Sequence, residues 1–183
     1  MKFQHQLIRH DPDNGHWGDC ARAAIAGLLQ RPLVEVPHFN LHNMAGRSQS
    51  DAFRAWLKPY NLTLFETAFE PDLEGLFQLM DSLNPGLLYI LSGTSPRGRN
   101  HAVLARGDNF VFDPHPDGGF LVGPSDDGYF HIQIIAHQPG GDIGLAPPHV
   151  TDPETAGGDW SRHSTFRDPG KAADVERSAK DQP

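Results

Sequence analysis

The chain holds one cysteine, and its setting constrains the fold more than any other feature. Asp13-Asn14-Gly15-His16-Trp17-Gly18-Asp19 is a polar, glycine-rich loop that runs straight into Cys20. Beyond it, Ala21, Ile25, Leu28 and Leu29 recur at helical spacing with good helix formers between them, which predicts a helix from Cys20 to about Gln30. Asp19 suits the N-cap, where its carboxylate can accept from the free backbone N–H groups of the first turn. A thiol at the first helical position feels the positive end of the helix dipole, which favours the nucleophilic thiolate. A lone cysteine is more often an inert, buried small hydrophobe. Here the flanking loop is polar, and a histidine and a carboxylate suited to such a thiolate occur later in the chain.

Bulk properties narrow the field. A length of 183 residues fits one domain with a real core. The formal net charge of -8 argues against a general attraction to nucleic acid or anionic membrane. No apolar run approaches the length of a membrane span, and Met1 to Arg9 lacks the apolar centre of a signal peptide. One cysteine makes no internal disulfide. Together these features point to a reducing, cytoplasmic setting.

Taken in order, residues 1 to 9 read as a short strand or an extended arm, and His10 to Gly15 as a turn. Val34 to Phe39 is a short turn or extended piece. Ser48 or Ser50 can cap a helix at residues 50–58 that carries Phe53, Trp56 and Leu57. Pro71-Asp72 opens another at 72–82, with Leu73, Leu76, Phe77, Leu79 and Met80 on its apolar side. Strands are expected at 62–69, 87–91, 101–105, 109–113 and 129–136, separated by turn chemistry such as Asn84-Pro85-Gly86. The fold class is therefore α+β, the cysteine helix packed on an antiparallel sheet. Residues 1–137 form the folded domain. Residues 138–183, rich in Gly, Pro and charge, cannot bury enough surface to offset their ordering entropy and read as a disordered tail, with a weak helix around Ala172 to Lys180.

A cysteine nucleophile needs an imidazole partner, and the imidazole needs a group that holds its tautomer. Of the 11 histidines, His101 is the best placed, because it opens the apolar strand His101 to Ala105. Asp113 ends the partner strand. The hairpin between them offers a test. A two-residue loop, Gly107-Asp108, puts His101 and Asp113 on opposite faces, whereas a three-residue loop, Arg106 to Asp108, sets them directly across from each other. The three-residue form or another odd loop is expected, with the opposed Cβ atoms roughly 5 Å apart. The backbone N–H of Cys20 and the side-chain amide of Asn14, six residues earlier, are candidate oxyanion donors. His16 and Trp17 beside the cysteine, and His115 from the opposite rim, are candidate substrate-binding residues.

In this order the residues resemble a papain-like cysteine peptidase: an amide side chain, a cysteine at a helix start, a histidine on a strand, then Asp on the next strand. Asp19-Cys20 and Asp113-Pro114 are most similar to the bacteriocin-leader peptidase branch. Gly18 through Leu29, with Val36-Pro37-His38-Phe39, also resembles uncharacterised papain-like proteins of bacteria and their phages. The resemblance spans residues 10 to 136. It implies a papain-like fold, with Cys20 as nucleophile, His101 as base and acid, Asp113 as orienter, Asn14 as oxyanion donor and no cofactor or metal. Members usually carry Gln at the oxyanion position, and this chain departs from them with Asn. The implied chemistry is acyl transfer from a peptide, isopeptide or other amide to water, or to an amine in a transamidase. Two other readings remain open at this level. One is a non-catalytic binding module of the same fold. The other is metal binding by His10, Asp11, Asp13 and His16, or by Asp113, His115 and Asp117, though Pro and Gly crowd both clusters.

Overall fold

The framework is a sheet of five strands: β1 (Leu62–Phe69), β2 (Leu88–Thr94), β3 (Asn100–Arg106), β4 (Asn109–Phe112) and β5 (Phe130–His137). The pairings are antiparallel, in the order β1-β5-β2-β3-β4. The computed structural model describes residues 3–40 and 48–138, which lie within the unit Met1–Gly141. The expected tail falls outside the described residues, its weak helix included, except for Gln138, whose N–H donates to the Asn61 carbonyl at 2.9 Å.

Strand sequence follows strand position. β2 and β3 are covered on both faces, and accordingly Tyr89 to Leu91 and Ala102 to Ala105 are unbroken buried runs. β1 lies at the edge and alternates, with Leu64 buried and Phe65 exposed. On one face Ile90, Ala102 and Leu104 pack against Ala23, Ala24 and Ile25 of α1 (Cys20–Leu29), and against Phe53 and Leu57 of α2 (Gln49–Leu57). On the other, Tyr89, Leu91, Val103 and Ala105 meet Leu76 and Met80 of α3 (Leu73–Leu83). The molecule is α+β, as its patterning indicates. Among the described residues, no helix is long and apolar enough to cross a membrane.

Two helix starts carry side-chain caps, the first from Ser48 as expected and the second from Asp72, expected inside the helix but standing just before it. Ser48 Oγ accepts from the Asp51 N–H at 3.1 Å, and the Asp72 carboxylate accepts from the Gly75 N–H at 2.9 Å. At α1 the outcome differs. Asp19 stands at the cap position, but its side chain bonds no N–H of the first turn. Its carboxylate turns to the N-terminal arm instead, where the Ile8 N–H donates to Oδ1 at 2.8 Å.

The β3–β4 hairpin corrects the expected loop. Arg106 pairs with Asn109, so the loop is the two-residue Gly107-Asp108. Gly107 takes φ +53°, the positive φ that a tight hairpin of this kind demands at its first position. The shape opposed by the sequence argument is then rescued by a bulge. Ala105 pairs with Phe110 and Leu104 with Phe112, leaving Val111 as an extra residue in β4. One inserted residue flips the parity. Continuing that register sets Asp113 across from Val103, with His101 two residues farther along the same face. The two side chains become diagonal neighbours, not directly opposed ones.

Candidate active site

His101 and Asp113 meet. His101 Nε2 lies 2.7 Å from Asp113 Oδ1, and both residues are buried. The Asp113 carboxylate also accepts the His115 N–H at 2.8 Å on Oδ1 and the Phe120 N–H at 2.7 Å on Oδ2. Burial alone would raise its pKa. The hydrogen bonds from His101 and the two backbone donors outweigh this and hold it below the usual 3.8. An ionised carboxylate with three donors is a fixed acceptor, so the proton it orders on His101 sits at Nε2. That leaves Nδ1 for the other partner.

The other partner is Cys20, at the first position of α1, which lines the same grooves as His101 and contributes to its pKa shift. Burial works against a charged imidazole here. The bonds to Asp113 and Cys20 and the charges of both win, and they raise the His101 pKa from 6.5 to about 9. Cys20 and His101 line a groove of about 900 Å³, and both also border a neighbouring one of about 460 Å³. Side chains from two distant stretches, the start of α1 and the β3–β4 hairpin, thus converge where two open grooves meet, with Asp113 behind His101.

The loop before Cys20 is held by residues far from it in sequence. The Asp19 N–H donates to the Ile8 carbonyl at 3.2 Å, closing a reciprocal pair with the Ile8–Asp19 side-chain bond. Arg22 approaches the second Asp19 oxygen at 3.4 Å. His38 Nε2 lies 2.8 Å from the Trp17 carbonyl, and Asn40 Nδ2 donates to the Gly18 carbonyl at 2.7 Å. A β-carbon at Gly18 would fall 2.9 Å from His10 Cβ and 3.1 Å from the His10 nitrogen, so only glycine lets the arm pass this close.

The remaining sequence candidates divide. Trp17 and His115 line the larger groove. Trp17 packs edge-on against His10, centroids 5.6 Å apart, and the His115 ring lies 6.4 Å from that of His101. His16 is exposed, lines neither groove, and is tied up in a backbone bridge with Asp11. Asn14 is not brought to the site either. It ends the 3-10 turn Pro12–Asn14, is exposed, and donates its amide to Asp11 Oδ2 at 2.7 Å. The turn expected at His10 to Gly15 is present, closed by the Gly15 N–H on the Pro12 carbonyl at 3.0 Å, and it leaves Asn14 exposed on its own side of the loop.

Three side-chain amides do line the groove: Asn40, bonded to the Gly18 carbonyl, Asn100, bonded to Asp126, and Gln6 on the N-terminal arm. The Gln6 backbone N–H donates to the Pro114 carbonyl at 2.9 Å, and its Nε2 donates to the Ile8 carbonyl at 3.0 Å. Its Oε1 is buried without a hydrogen-bond partner among the described residues. Sequence reasoning missed Gln6 because nothing local marks it. Its position comes from the bonds that pin the arm between Pro114 and Asp19. Among the described residues, no three His, Cys, Asp or Glu side chains are grouped to hold a metal ion. In the Asp113 cluster, the carboxylate oxygens are already taken by His101, His115 and Phe120.

No family model, curated protein or solved structure matches the chain. The site therefore has to be read from its own chemistry.

Proposed function

We propose that the protein is a cysteine-dependent amide hydrolase of the papain-like kind, acting in a reducing, cytoplasmic setting on a peptide, isopeptide or other amide. The observation that carries this reading is the position of His101, beside Cys20 on the groove lining and bonded to the buried Asp113 behind it. Inert buried cysteines have no use for such a partner.

The steps follow from the protonation states. His101 is charged near neutral pH, and the reacting form of Cys20 beside it is the thiolate. Cys20 Sγ attacks the carbonyl carbon. The developing oxyanion takes the Cys20 backbone N–H, which has no partner within the helix at this first position, and the second N–H of Gln6 Nε2, whose first is given to the Ile8 carbonyl. The C–N bond breaks as His101 Nδ1 gives its proton to the leaving amine, leaving a thioester on Cys20. Water then attacks the thioester, His101 takes a proton from it, and thiolate and imidazolium are restored with release of the acid. Asp113 keeps the ring oriented throughout. With Gln6 in this role, the amide is the type that the papain-like resemblance implies, drawn from the arm and not from the loop at Asn14.

Because Cys20 is the only cysteine, mass measurement reads its labelling without ambiguity. Iodoacetamide at neutral pH is expected to alkylate it faster than it does a free thiol, and His101→Ala to abolish that advantage. Profiling the wild type against Cys20→Ala on a library of amide substrates is expected to show cleavages only in the wild type. Slow labelling, indifferent to His101→Ala, would overturn the proposal.

A further inference from the structure

The larger groove carries a charge pattern that the acyl-transfer steps do not use. The chain as a whole has 23 acidic against 15 basic residues, yet Arg9, Arg97 and Arg99 all line this groove. Arg97 and Arg99 come from the tip of the β2–β3 hairpin, immediately before His101. That tip is a tight turn: Ser95 and Arg99 are tied by the Ser95 N–H and Oγ to the Arg99 carbonyl at 2.9 and 3.1 Å, and the Gly98 N–H donates to the Ser95 carbonyl at 2.9 Å. Arg97 Nη1 donates to the Gly118 carbonyl at 2.7 Å, which fixes the guanidinium over the groove without neutralising it. Neither Arg97 nor Arg99 has a carboxylate partner among the described residues.

Two acidic groups share the lining with the three arginines, and one of them is paired with Arg9. Asp117 lies 3.6 Å from Arg9, and Asp126 is locked to the Asn100 amide by two bonds of 3.1 Å. His115 adds a neutral donor. Its Nδ1 accepts the Asp117 N–H at 3.1 Å, so the neutral ring carries its proton on Nε2. Burial and the charge of Arg97 hold its pKa below 6.5, which keeps it neutral at physiological pH. Nε2 has no hydrogen-bond partner among the described residues. A guanidinium fork, a second guanidinium and one N–H donor, none with a carboxylate partner among the described residues, line one groove beside the nucleophile. Planar donors of this kind match a carboxylate.

Resting on the hydrolase reading, we infer that this groove is a subsite for a carboxylate carried by the substrate close to the scissile amide, held by Arg97 and Arg99 with His115 Nε2–H as the third donor. Two sources supply that group in amide substrates, an acidic side chain and a terminal carboxylate, and probes separate them.

Three electrophiles share one reactive head: chloroacetyl-glutamine amide, which is neutral; chloroacetyl-glutamate amide, with a side-chain carboxylate; and chloroacetyl-glutamine with a free terminal carboxylate. In each, Cys20 Sγ displaces chloride and forms a thioether, read by intact mass over time. At least one charged probe is expected to label about tenfold faster than the neutral one, the gain of a charge-assisted bond. Which one leads identifies the source. The ratio of charged to neutral rates is expected to fall towards one in Arg97→Gln/Arg99→Gln, to fall in His115→Ala, and to be restored in part by His115→Gln, which keeps a donor. Both arginines are exposed, so the double variant disturbs no core. If the neutral probe labels Cys20 no faster in the wild type than in His101→Ala, the hydrolase reading fails and the subsite with it. If that difference stands but the charged probes gain nothing, or their gain survives loss of both arginines, the subsite alone is wrong.

Discussion

On the sheet side of the groove, His101 and Asp113 are set by the ladder between β3 and β4 and by three donors on one carboxylate. On the helix side, Cys20 is set by bonds from segments that are neither helix nor strand: Ile8 on Asp19, His38 on Trp17, Asn40 on Gly18. The sheet side draws its rigidity from the core beneath it, since Val103, Leu104 and Ala105 are fully buried. The helix side has a core under Ala23 to Ala26, but the turn that presents the thiol lies above it and depends on polar clamps. The contrast makes a rule. Damage on the sheet side should remove chemistry from a molecule that stays folded, while damage on the helix side should cost stability and chemistry together.

The largest effect tests the first half. His101→Ala is expected to lower kcat/KM on the amide substrates found by profiling about 10³-fold, the scale of a lost general acid and base. Its near-UV circular dichroism should match that of the wild type. Loss of tertiary signal instead would show that the sheet side also needs its polar pair to fold.

Next comes the arm. Gln6→Ala is expected to lower kcat about 10²-fold with KM little changed, as removal of one oxyanion donor does. Asn14→Ala, an exposed change away from the groove, should stay within about twofold. Steady-state kinetics on both variants decide the assignment, and equal effects would return the oxyanion role to the loop.

These two residues also show how much of the site was legible in the chain. The elements were: alternation, turn chemistry, the Ser48 cap and the Pro71-Asp72 helix start are local signals, and strands and helices stand within a few residues of where they indicate. His101 and Asp113 were legible as a pair because side-chain parity along a strand is a simple rule. The rule still met a complication it could not see, since the bulge at Val111 repaired a register that a two-residue loop had spoiled. Gln6 and the turned-out Asn14 were not legible. Their placement depends on where an arm without regular structure docks, and that is decided by single bonds such as Gln6 N–H to Pro114, across more than a hundred residues of sequence. Asp19 is the same lesson in one residue. Its type and position promised a cap, yet its carboxylate serves the arm.

Asp19→Ala tests the second half of the contrast. Asp19 is 1% exposed, and its loss leaves the Ile8 N–H unpaired and Arg22 without its acid. Urea unfolding is expected to show a loss of about 2 kcal/mol, together with about tenfold lower kcat as Gln6 and Cys20 lose their common anchor. Asp19→Asn retains an acceptor for Ile8 and should recover most of the stability. A variant that keeps full stability and loses only activity would erase the distinction between the two sides.

The smallest effect joins both sides through pH. His101 is raised from 6.5 to about 9, so its contribution is fully present below 6.5 and is lost as pH rises from there to about 9. His115 and Asp113 act in the acid range. His115 is held below 6.5, so the unfolded chain binds its proton more readily and stability falls as pH drops below that value. Asp113, held below 3.8, gives stability that is present above its unfolded value and is lost as pH falls through its folded one. Stability should therefore peak near pH 6.5 and decline on both flanks. Thermal melts should show Tm falling by about 4 °C from there to pH 9. In His101→Gln that alkaline decline should vanish. In Cys20→Ala it should shrink without vanishing, because Asp113 on the sheet side still holds the imidazolium when the helix side no longer does. The size of the remainder measures how the hold on one proton is divided between the two, and an undiminished decline in Cys20→Ala would assign it wholly to the sheet.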